Sequence, residues 1–109
     1  MAIEVKYTPD FRKQVKRLAG KYKSIYNDLE GLIDDLETTP TLGSPLGKNL
    51  YKVRLALSDK GKGKSAGARV ITYVFIKNET VYLTAIYDKS DHSTIDTERL
   101  IKILKTSGL

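Results

Sequence analysis

Apolar residues in this chain recur first at helical spacing and later at strand spacing, and this change constrains the fold more than any other feature. Two successive stripes recur at intervals of three and four residues: Phe11, Val15, Leu18, Ala19 and Tyr22, then Ile25, Leu29, Leu32, Ile33 and Leu36. After residue 50, apolar and polar residues alternate, which is typical of half-buried β-strands. The sequence therefore predicts a helical hairpin followed by a β-sheet.

Local signals set the boundaries of the first elements. A short strand is predicted at residues 3–7, where apolar and charged residues alternate. Thr8 is predicted to cap the first helix, with Pro9 in its first turn. Ser24 is predicted to cap the second helix, and Pro40 follows its end.

The second half of the chain predicts three more strands and a final helix. The strands are expected at residues 50–57, 69–76 and 81–87. Residues 40–49 and 58–67 have loop composition, and a helical stripe recurs near residues 100–104. We therefore predict one α+β domain spanning residues 1–109, in which an N-terminal strand and a helical hairpin pack on a mostly antiparallel four-stranded sheet, with a C-terminal helix.

Composition excludes several classes of function. The chain has no cysteine, which rules out disulfide scaffolds, thiol nucleophiles and cysteine-bound zinc. Its single histidine, His92, leaves no histidine cluster for a metal, so we expect neither a metal site nor a cofactor. The N-terminus has no signal-peptide core, and no apolar run approaches the roughly 20 residues that span a bilayer. We expect a cytoplasmic protein with no membrane partner.

Charge is distributed unevenly along the chain, whose formal net charge is +6. Residues 27–46 carry five acidic residues and no basic one, which predicts a solvated acidic face. Residues 47–77 carry eight basic residues against a single acidic residue, Asp59. Because cations placed on phosphates release condensed counterions, this basic block favours a polyanionic ligand.

Four basic side chains of the predicted sheet are candidates for one site. Lys52 and Arg54 share one face of a strand, Arg69 opens the next strand, and Lys89 follows the last one. If these strands are neighbours, the four side chains converge at one end of the sheet. The alternative is an ordinary solvated polar surface.

A glycine-rich loop and two aromatic residues extend this candidate site. Lys60, Lys62 and Lys64 alternate with glycine and serine between two strands, where they are candidates for RNA binding. Tyr73 is a further candidate for RNA binding, and Tyr87 lies close to the end of the last strand.

A cluster of cations suits the cleavage of RNA by its own 2′-hydroxyl. Arginine can hold the phosphate oxygens of the transition state in bidentate geometry. A lysine crowded by other cations, or a tyrosine such as Tyr87, can transfer protons without a metal. His92 titrates in a suitable range for a general acid, although its polar surroundings equally suit a solvated or capping histidine. The same cluster also suits a plain binding surface.

The order of elements and three segments of sequence resemble the RelE/ParE toxin superfamily. The segments are YKVRL at 51–55, KGKGKSAGARVI at 60–71 and LTAIYDK at 83–89. The likeness is strongest to the RelE-like and HigB-like branch, and it covers nearly the whole chain. It implies the toxin of a type II toxin–antitoxin system, an endoribonuclease that cuts mRNA in the ribosomal A site without a metal ion.

The resemblance also implies roles for individual residues. Lys52 and Arg54 match paired basic positions that bind message and take part in proton transfer, and Arg69 matches an arginine that stabilises the transition state. Lys89 stands where the family often has arginine. Ile95 occupies the position of a tyrosine found in some members, so Tyr87 is the first candidate to replace that tyrosine and His92 is the second.

Two alternatives remain beside the ribonuclease. The ParE-like branch of the superfamily poisons DNA gyrase and cuts no RNA, but it generally lacks the basic set seen here. A non-enzymatic module that binds RNA or the ribosome would use the same basic surface. The expected partners of a toxin are a cognate antitoxin protein, the ribosome and mRNA.

Overall fold

The computed structural model describes residues 3–57, 67–75, 77, 79–88 and 102. They form two helices and five strands in the order β1 (Glu4–Tyr7), α1 (Pro9–Ala19), α2 (Ile25–Thr38), β2 (Ser44–Gly47), β3 (Leu50–Leu55), β4 (Ala68–Phe75) and β5 (Thr80–Asp88). Of the predicted C-terminal helix, only Lys102 lies within the described residues, where it is helical. No helix in this part of the chain is both long enough and apolar enough to cross a membrane.

The strands form one sheet in the order β1-β5-β4-β3-β2. β1 runs parallel to β5, and the other three pairings are antiparallel. The predicted α+β class and the mostly antiparallel sheet are therefore confirmed. The described sheet has five strands rather than the four that the sequence predicts, because β2 forms within a segment predicted to be a loop.

The helical hairpin begins where the sequence predicts it. The Thr8 hydroxyl accepts a hydrogen bond from the Phe11 amide at 3.3 Å and donates one to the Leu83 carbonyl at 3.1 Å. This residue therefore caps α1 and also fastens its start to β5. Ser24 occupies the cap position of α2, but its hydroxyl donates to the Asp28 carboxylate at 3.0 Å instead of capping the helix.

A tight hairpin joins the unexpected strand β2 to β3. The two connecting residues, Lys48 and Asn49, have φ of 53° and 68°. Two positive values are required by the turn type that matches the twist of paired strands. Ser44 pairs with Lys52 across this hairpin, so β2 borders the first half of β3.

The two faces of the sheet have different roles. Both helices pack on one face, where the main apolar core includes Phe11, Leu29, Val53, Val70 and Leu83. The opposite face, which we call the site face, has a smaller buried cluster of Leu50, Ile71, Ala85 and Tyr87. Side chains alternate between the faces, so the polar residues of β3 lie on the site face.

The end of β5 is anchored to the helical hairpin. The Tyr22 hydroxyl donates to the Asp88 carboxylate at 2.6 Å, and the Lys21 ammonium lies 3.9 Å from the same oxygen. Asp88 is buried and faces the helices, next to Tyr87 on the site face. Hydrogen bonds to a buried carboxylate are stronger than neutral ones, so this contact fixes the strand end that carries Tyr87.

Candidate functional site

Three of the candidate catalytic residues form one row across the sheet. Arg54 of β3 is directly opposite Arg69 of β4, and Arg69 is directly opposite Tyr87 of β5. Directly opposed residues share a face and have neighbouring side chains. We call these three residues the arginine–tyrosine row. The structure thus brings together three side chains that are distant in the sequence.

Lys52 extends the row along β3. It lies two residues before Arg54, about 7 Å away along the strand, on the same face. Its cross-strand neighbour is Ile71, whose side chain is fully buried. Tyr73 lies on the same face, opposite Leu50, and is therefore at the far end of the site face from the row.

A β-bulge determines which face Tyr87 occupies. Val81 and Leu83 belong to the helix-side core, and strict alternation would place Ala85 and Tyr87 there as well. The register of β4 and β5 shifts, so that Ile71 opposes Ala85 but Thr72 opposes Leu83, leaving Thr84 without an opposite residue. The extra residue turns Ala85 and Tyr87 onto the site face.

The bulge is held by a hydrogen bond within the sheet. The buried Thr84 hydroxyl donates to the Ile71 carbonyl at 2.9 Å. Bulges commonly occur beside active sites, where they redirect a side chain. Here the redirected side chain is Tyr87, which the bulge brings beside Arg69.

The members of the row differ in exposure. Arg54 is exposed, whereas Arg69 retains 8 % of its surface and Tyr87 retains 7 %. Burial raises the pKa of the Tyr87 phenol above its ordinary value of 10.0, and the positive charge of Arg69 offsets part of this rise. The phenol therefore remains protonated near neutral pH, where it can donate a proton but cannot accept one.

A groove of about 680 Å³ is lined by residues of α2 and of β3, among them Lys52 and Arg54. Its lining also includes Asp28, Asp34 and Asp35. Residues of the acidic segment thus line the same groove as residues of the basic strand. Among the described residues, no ion pair within 4.0 Å joins Asp34 or Asp35 to the two cations. Arg54 is exposed beside this groove.

Five of the predicted site residues lie outside the described residues: Lys60, Lys62, Lys64, Lys89 and His92. Their roles remain predictions. Sequence analysis missed two aromatic residues of the site face, Phe75 and Tyr82, which lie next to Tyr73. Both residues alternate with buried apolar residues in segments with a β-strand pattern. Their proximity to Tyr73 could be inferred only once the pairing of the strands was known.

Comparison with known proteins agrees with this fold. No family model matches the chain, and no curated protein matches it. The free state of a doubly substituted Escherichia coli toxin RelE superposes with a TM-score of 0.62 at 14 % identity, covering 85 % of this chain and 90 % of that one. A metal-bound toxin from Helicobacter pylori gives a TM-score of 0.43 at 14 % identity, over 82 % and 97 % of the two chains.

The chain has the fold of the RelE toxin. The superposition covers most of both chains, so the likeness includes the sheet and the helical hairpin rather than one supersecondary motif. A fold can host unrelated functions, so activity has to be argued from the site itself. In this RelE-like fold, the arginine–tyrosine row and Lys52 lie together on the site face of the sheet.

Proposed function

We propose that this protein is the toxin of a type II toxin–antitoxin system, and that it is a ribosome-dependent endoribonuclease that stops translation by cutting mRNA. The observation that supports this proposal best is the arginine–tyrosine row, which combines two guanidinium groups with a protonated phenol. The RelE-like fold and the basic segment between residues 47 and 77 give further support.

The proposed reaction begins with the 2′-hydroxyl of a message nucleotide. Its oxygen attacks the adjacent phosphorus, the bond to the 5′-oxygen breaks, and a 2′,3′-cyclic phosphate and a free 5′-hydroxyl result. The phosphorane formed on the way carries extra negative charge. Arg54 and Arg69 stabilise that charge, because guanidinium groups match the geometry of non-bridging phosphate oxygens.

Proton transfer in this scheme uses two further side chains. Tyr87 donates its phenolic proton to the leaving 5′-oxygen, since burial keeps the phenol protonated. Lys52, on β3, accepts the proton of the 2′-hydroxyl in this proposal. Lys89 and His92, which follow β5 in the sequence, are proposed as additional contributors to phosphate binding and proton transfer. No step in this scheme requires a metal ion or cofactor.

The proposed partners follow from the same chemistry. The message is presented in the ribosomal A site, so the protein acts in the cytoplasm. The loop lysines Lys60, Lys62 and Lys64 bind RNA phosphates in this proposal. A cognate antitoxin neutralises the toxin, and acidic residues of that partner would complement the basic site face.

The proposal is tested by primer extension on a defined message in a cell-free translation reaction. We expect discrete cuts within codons that appear only while ribosomes translate. Naked RNA, as the control, should show no cleavage above background. Arg54→Ala and Arg69→Ala are expected to remove the cuts. Arg17→Ala removes one exposed charge on α1, away from the site face, and is expected to leave them unchanged.

The same reaction separates the alternative functions. Intact message with normal translation would overturn the ribonuclease and direct attention to gyrase inhibition by a ParE-like toxin. Intact message with stalled translation would indicate a module that binds RNA or the ribosome without cleaving. Such a module should lose binding and inhibition together in Arg69→Ala, whereas an enzyme should lose cleavage far more than binding.

A further inference from the structure

Three aromatic side chains lie together at the end of the site face away from the arginine–tyrosine row. Tyr73 of β4 is directly opposite Tyr82 of β5, and their ring centroids are 6.3 Å apart with planes inclined by 30°. Phe75, two residues along β4, lies 6.3 Å from Tyr73 with an interplanar angle of 21°. We call these three residues the aromatic platform.

Tyr73 packs against the buried cluster of the site face, but the apolar cores do not account for the other two platform residues. Val74, between Tyr73 and Phe75, and its partner Val81 face the helices and are buried there. Phe75 and Tyr82 belong to neither buried apolar cluster of the described residues, and both retain partial exposure. Three neighbouring, partly exposed rings with similar orientations offer π-surface to a planar ligand.

One cation, Lys52, lies between the platform and the row. Arg69 and Tyr73 are four residues apart on β4, about 13 Å along the strand. Lys52, on the adjacent strand, lies opposite Ile71, midway between them. A surface that combines cations with aromatic rings is the usual arrangement for binding single-stranded nucleic acid, in which cations follow the backbone and rings stack on bases.

We propose that the aromatic platform is a nucleobase-stacking subsite for the same RNA strand whose phosphate lies at the arginine–tyrosine row. This inference rests on the proposed function, because it assumes that the row binds RNA. The platform contacts a base a short distance along the strand from the cleaved bond. Stacking tolerates every base, so the subsite strengthens RNA binding without selecting a sequence.

The test compares two labelled RNA probes of about eight nucleotides, a length within the range of known single-strand sites. Both carry 2′-O-methyl groups, which block cleavage, and one has abasic sugars at every position. Fluorescence anisotropy at low salt measures the affinity of each probe for the full-length protein. We expect the wild-type protein to bind the base-containing probe about tenfold more tightly than the abasic probe.

Variants then show which residues cause the preference for the base-containing probe. The double substitution Phe75→Leu and Tyr82→Leu is expected to reduce the affinity for the base-containing probe to the abasic level, without changing abasic binding. Tyr82→Phe, the matched control, keeps a ring and is expected to keep the preference. Arg54→Ala is expected to lower the affinity for both probes equally, since it removes a phosphate contact.

The outcomes distinguish the platform from the proposed function. Equal wild-type affinity for both probes would overturn the platform and leave the row intact as an RNA site. Binding of neither probe would overturn both. A base preference that persists in a folded double variant would also overturn the platform. If the double variant does not fold, the wild-type comparison of the two probes and the Tyr82→Phe variant decide the test.

Discussion

Arg54 of β3 and Arg69 of β4 are directly opposite each other on the site face of the sheet. Like charges directly opposed on a sheet destabilise it. A bound phosphate would turn this repulsion into attraction, because both guanidinium groups could share its oxygens. The pair is therefore expected to lower the stability of the free protein and to favour catalysis, and these two effects can be measured separately.

Arg54→Ala should lower cleavage without lowering stability. We expect the rate of message cleavage to fall by about 100-fold, as when one preorganised transition-state contact is removed. The free energy of unfolding should stay the same or rise by a few tenths of a kcal/mol, because a repulsive pair is lost and the side chain is exposed. Cleavage kinetics and urea denaturation measure the two effects, with Arg17→Ala as the charge-matched control. Unchanged cleavage in Arg54→Ala would contradict the role assigned to the pair.

Tyr87→Phe tests the phenol as a proton donor. We expect cleavage to fall by at least about 100-fold, the usual contribution of a general acid, while binding of a non-cleavable RNA is retained. The substitution keeps the ring and removes the proton. Equal losses of binding and cleavage would instead assign Tyr87 to substrate binding.

The raised pKa of Tyr87 also has a consequence for stability. A group whose pKa is higher in the folded state stabilises that state below the unfolded pKa, and this stabilisation is lost as the pH rises through the folded pKa. The free energy of unfolding should therefore fall as the pH rises above 10, the ordinary pKa of tyrosine. Burial raises the pKa of Tyr7 as well, so Tyr87→Phe should reduce the fall and a double variant with Tyr7→Phe should reduce it further. A steeper fall in either variant would contradict this sign.

Two buried threonines beside the bulge should respond in opposite ways to the same substitution. Thr84 donates a hydrogen bond to the Ile71 carbonyl, whereas the buried Thr72 hydroxyl has no hydrogen-bond partner among the described residues. Thr84→Val should lower the free energy of unfolding by about 1 kcal/mol, and Thr72→Val should raise it by a similar amount. Urea denaturation measures both.

The bulge also predicts an effect on activity. Thr84→Val should lower cleavage by weakening the arrangement that places Tyr87 beside Arg69, and Thr72→Val should not. Because Thr72 faces the helices, it provides a control for changes in the core that do not reach the site face. Equal activity of the two variants would show that the bulge forms without the Thr84 hydrogen bond.

The sequence predicts most of the helix-side structure, because burial of one face imposes a regular period. The two helical stripes pack as expected, and Thr8 caps α1. The alternation along β3 correctly places Lys52 and Arg54 on the face opposite Val53. These features depend on residues close together in the chain.

Two features of the site could not be predicted because they depend on pairing between strands. β2 lies in a segment rich in proline and glycine, and its hairpin has positive φ at Lys48 and Asn49 without the glycine that usually marks such a turn. The bulge at Thr84 reverses the faces of the residues that follow, so simple alternation places Tyr87 in the helix-side core. Single-residue register shifts leave no mark on local composition.

Gly67→Ala should disturb the row through the backbone that carries Arg69. Gly67 precedes β4, and a Cβ added there would overlap the Leu55 carbonyl oxygen at the end of β3. Position 67 is restricted to glycine by this close approach of β3 and β4, the same strand pairing that brings Arg69 opposite Arg54. We expect the free energy of unfolding to fall by about 2 kcal/mol, as in other overpacked sites, and cleavage to fall with it. Gly31→Ala provides the control, because an added Cβ in α2 meets no atom within 4 Å and should raise stability by about 0.5–1 kcal/mol. If Gly67→Ala were as stable as Gly31→Ala and fully active, the close approach of β3 and β4 would not be required for the site.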